Sequence, residues 1–152
     1  MTKTKAEPLY LLDVNVLIAL TWRNHIHHEL AHCWVERVGS LRWASCALTQ
    51  LAFVRISSNP KILPDAVSPH AANAMLQRLV AHPGHHYLVQ SPALAELPAW
   101  PRLALAGHWQ VTDGYLLSLA IHHGARLATF DTGLPMLLAD PAERERMVAV
   151  IG

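Results

Sequence analysis

The sequence predicts an α/β fold: a central parallel sheet of about five strands with helices on both faces, giving three layers. Two observations carry this prediction. Short apolar runs bounded by turn residues alternate with longer stretches whose apolar residues recur at helical spacing. The chain also has 152 residues, 52% hydrophobic and 15% charged, enough to bury one substantial core.

Residues 1–8 read as a flexible tail and 9–152 as a single domain. Leu9-Tyr10-Leu11-Leu12 ends at Asp13 and suits a strand buried on both faces. Asn15 is expected to cap a helix continuing through Val16 to Leu20. Leu30, Trp34 and Val38 share a face of a second helix over about 27–38, stopped by Gly39. Trp43 to Cys46 reads as the second strand. Thr49 is expected to cap a third helix carrying Leu51, Phe53, Val54 and Ile56, and Ser57-Ser58-Asn59-Pro60 ends it. Ser68 opens a fourth helix over about 69–81. Pro83-Gly84 then turns the chain into a third strand, Tyr87 to Val89. The Pro-rich stretch 91–110 is a loop or a set of short helices. Thr112 is expected to cap a helix to His123, with Leu116, Leu119 and Ala120 on one face and Gly124 as its stop. Arg126 to Phe130 and Met147 to Ile151 supply the fourth and fifth strands.

The formal net charge of +1 excludes a polybasic nucleic-acid binder, yet permits a local phosphate-binding edge. Two cysteines, Cys33 and Cys46, make no disulfide framework and no CxxC, which points to a reducing, cytoplasmic protein. The lysines before the first apolar run faintly imitate a secretion signal, but Asp13 and Asn15 interrupt that run and no cleavage site follows. No stretch offers the roughly 20 apolar residues of a membrane span, so no membrane partner is expected.

In a parallel sheet the strand C-termini share one edge with the N-termini of the returning helices, and ligands bind there. Asp13 ends the first strand, Asp131 ends the fourth, and Asp113 sits in the first turn of a helix. All three are expected at that edge, with Gln50 pointing to it as well. Each acid alone is explained as a cap or a turn residue. Together, three carboxylates in one crevice repel unless a cation or a proton compensates. The positive end of the helix favours ionised Asp113, and so does water entering the crevice. Oxygen ligands without cysteine select a hard cation, Mg²⁺ or Mn²⁺. Such an ion activates water and neutralises a phosphodiester under attack, the chemistry of a metal-dependent nuclease.

Rival chemistries lack their motifs. A haloacid-dehalogenase phosphatase needs a second acid where Asn15 stands. No GxGxxG, GxxxxGK[ST] or GxSxG occurs.

The segment Leu12-Asp13-Val14-Asn15-Val16-Leu17-Ile18-Ala19-Leu20 resembles the opening motif of PIN-domain proteins. Gln110-Val111-Thr112-Asp113-Gly114-Tyr115-Leu116-Leu117 resembles their third acidic motif, and Thr129-Phe130-Asp131-Thr132-Gly133-Leu134 their last. Leu48 to Ile56, followed by Ser58-Asn59-Pro60, is similar to the second motif of the VapC toxin branch. The resemblance covers about residues 9–138, with all four motifs in order. It implies an α/β/α PIN-like domain and a Mg²⁺- or Mn²⁺-dependent endoribonuclease. It further implies a toxin of a type II toxin–antitoxin system, held inactive by a cognate antitoxin, and a homodimer acting on structured RNA such as tRNA or rRNA. By position, Asp13 and Asp113 would bind metal most directly and Asp131 would complete the cluster. Asn15 and Thr112 would orient the ligands. The antitoxin is expected along the helical face around residues 27–60, with a basic or polar side chain in the acidic groove.

One position departs from the family's usual pattern. Gln50 stands where the second motif often carries glutamate, and no acid occurs between Glu36 and Asp65 to replace it. An amide ligates through oxygen but is a poor general base. Weaker metal binding or slower catalysis is expected. The same feature sustains the alternative of a catalytically weak module that binds RNA or protein.

Arg23, Arg55, Lys61 and His108 are candidate phosphate contacts, or else solvated surface charges. Trp22 and Trp109 are candidates for base stacking, or for core or dimer packing. His28 and His32 have the i, i+4 spacing of a zinc pair, but no third ligand has a fixed spacing, which favours a solvated helix face. His122 and His123 suit a helix C-terminus.

Overall fold

The computed structural model describes residues 6–152, so residues 1–5 of the expected tail lie outside the described residues. The Glu7 carbonyl accepts from Arg42 at 2.7 Å, which ties residue 7 to the second strand.

The strands are β1 (Leu9–Leu12), β2 (Arg42–Ser45), β3 (His85–Tyr87), β4 (Arg126–Thr129) and β5 (Val148–Val150). The helices are α1 (Val14–Thr21), α2 (His28–Val38), α3 (Ala47–Ser57), α4 (Pro69–Val80), α5 (Val111–His122) and α6 (Pro141–Met147). All five strands are parallel, in the order β3-β2-β1-β4-β5. The chain steps outward from β1 to β3, then returns to lay β4 on the other side of β1. That reversal opens a crevice above the C-terminal ends of β1 and β4.

Alternate strand residues feed the two layers. Tyr10, Leu12 and Trp43 pack beneath α1 to α4, with Val16, Leu17, Trp34, Phe53 and Leu76. Leu11, Ala44 and Leu127 face the other way, against Leu116, Leu117 and Leu119 of α5. The crossovers before and after the reversal therefore cover opposite faces, as right-handed connections require. A Cβ on Gly114 would stand 3.0 Å from Leu105 and Trp100, so this glycine lets the segment before α5 lie close against its first turns.

Several expected boundaries move. Asp13, not Asn15, caps α1: its Oδ1 accepts from the Val14 N–H at 2.7 Å. Thr49 lies inside α3, where its hydroxyl accepts from the N–H of the true cap, Cys46, at 3.0 Å. Thr112 is the second residue of α5, because a 3-10 turn at His108–Gln110 runs straight into the helix. In each case a side chain read as a cap stands one turn or less inside the helix. The third strand is His85–Tyr87 rather than 87–89, because the turn ends sooner and pairs His85 with Trp43. The stretch 91–110 forms three 3-10 turns. A 3-10 turn at Leu134–Leu137 and helix α6, capped by Asp140, were not anticipated.

Candidate active site

The β1–β4 register builds the site. Leu12 pairs with Ala128, and the ladder continues with the Asp13 N–H donating to the Ala128 carbonyl at 3.0 Å. Residue 13 is thereby set beside residue 129, and the Thr129 hydroxyl donates to Asp13 Oδ2 at 3.1 Å. The same hydroxyl accepts the Asp131 N–H at 3.1 Å, and Asp131 Oδ1 accepts from Gly133 N–H at 2.8 Å. One fully buried threonine thus links the two acids that end β1 and β4. Its position was visible in the sequence as a polar residue closing an apolar strand just before Asp131, but it was given no role there.

Asp113 enters from the first turn of α5. Burial is the main force raising its pKa to about 6, and the charges of Asp13 and Asp131 add to it. The positive helix end does not prevail here. Asp13, only 8% exposed, is also raised, chiefly by burial and a little by Asp131, against the lowering effect of the Thr129 and Val14 hydrogen bonds. The three aspartates therefore share one electrostatic environment, as their places on the sheet edge imply.

Asp13 takes its hydrogen bonds from Val14 and Thr129 rather than from Asn15 or Thr112, both of which are exposed. Gln50 is half-buried and donates its amide N–H to Ser45 Oγ at 3.0 Å. Ser45, at the end of β2, also bonds His85 Nε2 at 2.7 Å. This anchors Gln50 to the β2–β3 side of the edge. A helix leading into a parallel strand starts at the strands' C-terminal edge, so the loops before α2, α4 and α5 rise there. Arg23, Lys61 and His108 occupy those loops, and Arg55 lies near the end of α3; all four are exposed.

The donor set suits a hard ion: carboxylate oxygens, with Cys46 buried in the core and Cys33 on α2. Among the described residues no three His, Cys, Asp or Glu converge closely enough to hold an ion unaided. One or two carboxylates, with waters or phosphate oxygens completing the shell, fit Mg²⁺ in that setting.

The remaining aromatic and histidine candidates resolve differently. Trp22 is buried, its indole N–H donating to Ser57 Oγ at 3.2 Å, whereas Trp109 is 66% exposed. His28 Nδ1 and His32 Nε2 lie 2.7 and 2.9 Å from the carbonyls of Ala19 and Leu20. They satisfy the open C-terminal carbonyls of α1, which explains their spacing without zinc.

No helix among the described residues is long and apolar enough to cross a membrane. Residues 10–137 match the PIN domain family. The chain is 44% identical to ribonuclease VapC38 of Mycobacterium tuberculosis, over 82% of this chain and 86% of that one. It is 36% identical to ribonuclease VapC44 of the same species, over 92% and 98%. Its fold superposes on VapBC2 from Rickettsia felis bound to a DNA fragment from their promoter, with a TM-score of 0.63 and 13% identity, over 95% of this chain and 99% of that one. At that identity the likeness concerns the fold alone.

Proposed function

The chain belongs to the PIN-domain family, and from that premise we propose that it is a metal-dependent endoribonuclease, the toxin of a type II toxin–antitoxin pair. The observation that carries this reading is the meeting of Asp13, Asp113 and Asp131 at one sheet edge, where Asp113 is raised to about 6. Similarity to proteins called VapC ribonucleases, over more than four-fifths of the chain, supports it.

Asp13 and Asp113 would hold Mg²⁺ or Mn²⁺ most directly, and Asp131 would complete the set, directly or through a water. When bound, such a cation supplies neutralising charge and a water of lowered pKa for attack on an RNA phosphodiester. The rest is the work of the chain. Thr129 fixes the Asp13 carboxylate and favours its ionised form. Gly133 braces Asp131 at the lip of the crevice. Gln50 contributes a neutral amide, so the negative charge of the site rests on three acids. Asn15 and Thr112, exposed in the first turns of α1 and α5, orient water or substrate. Arg23, Arg55, Lys61 and His108 meet phosphates of a structured RNA, and the enzyme works in the cytoplasm.

The antitoxin partner has a candidate seat. A groove of about 650 Å³ runs between α2 and α4, floored by Leu20, Leu41, Trp43 and Leu79 and edged by Arg42 and Arg78. It overlaps the α2 part of the 27–60 face and extends it to α4. Glu7, Ser40 and Gly84 in its lining precede β1, β2 and β3, so it opens toward the sheet edge opposite the acidic crevice. An antitoxin seated there would need a further segment to reach the acids. Exposed Trp109, Val111 and Met136 offer apolar surface for a homodimer.

Incubation with total cellular RNA in Mn²⁺, Mg²⁺ or EDTA, beside Asp113→Asn, tests the enzyme. Discrete metal-dependent cuts that the variant lacks are expected. Folded protein that binds Mn²⁺ and RNA without cutting would favour the catalytically weak binding module, for which Gln50 speaks. Neither cuts nor metal binding would overturn the acidic site.

A further inference from the structure

Two histidines that the acidic site does not use stand beside it. His25 and His27 lie in the loop between α1 and α2, and both rings pack on Phe130, which separates Thr129 from Asp131. The His27 and Phe130 ring centres are 4.6 Å apart, with planes at 31°. His25 lies 6.4 Å from Phe130 and is stacked at 25°. The two imidazoles are 5.8 Å apart.

The arrangement is held in place. The His27 backbone N–H donates to His25 Nδ1 at 3.0 Å, which closes the turn and leaves the proton of neutral His25 on Nε2. The Asn24 side chain donates to Asp65 at 3.2 Å and ties the loop to the segment between α3 and α4. All three rings are only partly buried, and Ile26 between the histidines is 87% exposed. In the core, Phe53 is covered completely. A half-open cluster beside carboxylates is a different object. It offers ring faces next to a crevice whose charge repels an RNA backbone, and stacking is an attraction that needs no charge.

Building on the ribonuclease reading above, we propose that His25, His27 and Phe130 form a ledge on which an unpaired base next to the scissile phosphate stacks. The ledge takes the place of buried Trp22 among the candidate stacking groups. It accepts any base, because every base has a π-face, and it selects single-stranded over paired RNA.

His27 is the clean position to test. It precedes α2 without a side-chain capping bond, whereas removing the His25 ring would open the turn. The probe is a single-stranded RNA decamer carrying a central 2-aminopurine, bound to full-length protein with Asp113→Asn to prevent cutting. His27→Ala should weaken binding at least about fivefold and lose the fluorescence quench, while His27→Phe keeps both. Unchanged binding by both variants overturns the ledge. Equal loss in both, with a shallower salt dependence, overturns it too, since His27 would then be a phosphate contact. Wild-type protein that cuts total RNA while the His27 variants bind like their parent sinks the ledge alone. Protein that neither cuts nor binds RNA sinks both readings.

Discussion

Carboxylates occupy two opposite settings in this fold. In the crevice, Asp13 and Asp113 are buried or half-buried beside other negative charges, and both are pushed up in pKa. In α6, Glu143 meets the Arg102 guanidinium through a bidentate pair at 2.7 and 2.5 Å. The hydrogen bond and charge of Arg102 hold Glu143 below the usual carboxylate range, and Arg102 is raised in turn. This is the one ion pair among the described residues. With 12 Lys and Arg against 11 Asp and Glu, cations are available to the chain, yet among the described residues none is paired with the crevice acids. Stability would be served by neutralising them. Under the proposed function the crevice takes a cation and so has to keep them free, which would make the difference the place where folding yields to function.

Asp113→Asn tests that difference most strongly. Cleavage should fall about 100-fold or more, the scale of losing one preorganised electrostatic group. Stability without metal should rise. The folded pKa of Asp113 is about 6 against 3.8 unperturbed, so the folded state binds this proton more tightly than the unfolded one. The stabilisation from that proton is complete below about pH 4 and is lost as pH rises through 6. Allowing for the half-open, water-screened position, the variant gains about 1 kcal/mol at pH 8, or about 2–4 °C in Tm. His25 and His85 are lowered mainly by burial and act in the opposite sense, destabilising the fold as pH falls through the ordinary histidine range. Subtracting the wild-type curve from the variant curve removes their part. The gap should close near pH 4–5, and a gap that persists there would put the gain outside Asp113.

Thr129→Val asks whether the linking hydroxyl serves the site or only the fold. It strips a donor from Asp13 and an acceptor from the Asp131 N–H. A loss of about 1–3 kcal/mol in urea unfolding is expected. Cleavage should drop about 10–100-fold, as for other residues that orient metal ligands. Thr129→Ser should recover most of both. Loss of stability with unchanged cutting would make Thr129 purely structural.

Which parts of this were legible in the sequence has a physical pattern. Strand β1 and helices α2 and α4 were plain, because unbroken apolar runs and a serine cap before proline act locally. So was the placing of three aspartates at one sheet edge, near enough to feel one another's charge, which follows from parallel topology alone. Caps were harder: Asn15, Thr49 and Thr112 all have capping chemistry, and only the backbone decides which residue is the first to leave the helix. Thr129 was invisible as a partner of Asp13 because the bond depends on the β1–β4 register. The Phe130 ledge was invisible because it depends on how the loop after α1 folds back. Helix α6, by contrast, has a local signal in Asp140-Pro141, a capping acid followed by a first-turn proline.

A divalent cation should convert the crevice from the strained kind of setting to the paired kind. At ten times its Kd, Mn²⁺ is expected to stabilise the fold by about 1.4 kcal/mol at pH 8. The gain should shrink at pH 5, where protons compete for Asp113. The Asp113→Asn variant should lose most of it. A shift in melting temperature that is equal in both proteins would place the ion elsewhere.

Glu143→Gln should do least, although the pair it breaks has the better geometry. Arg102 is half-exposed, so water and salt screen the attraction and both flexible side chains lose freedom to make it. A cost of about 0.5–1 kcal/mol is expected, at the upper end for a surface pair because it is bidentate. It should fade in 0.5 M NaCl, and cleavage should not change. Neither Arg102 nor Glu143 contributes to the upward push on Asp13 or Asp113, so the crevice has no electrostatic route to sense the loss. If Glu143→Gln instead slowed cutting as much as Thr129→Val, α6 would have to reach the site through packing against α5. The two settings would then be parts of one device rather than opposites.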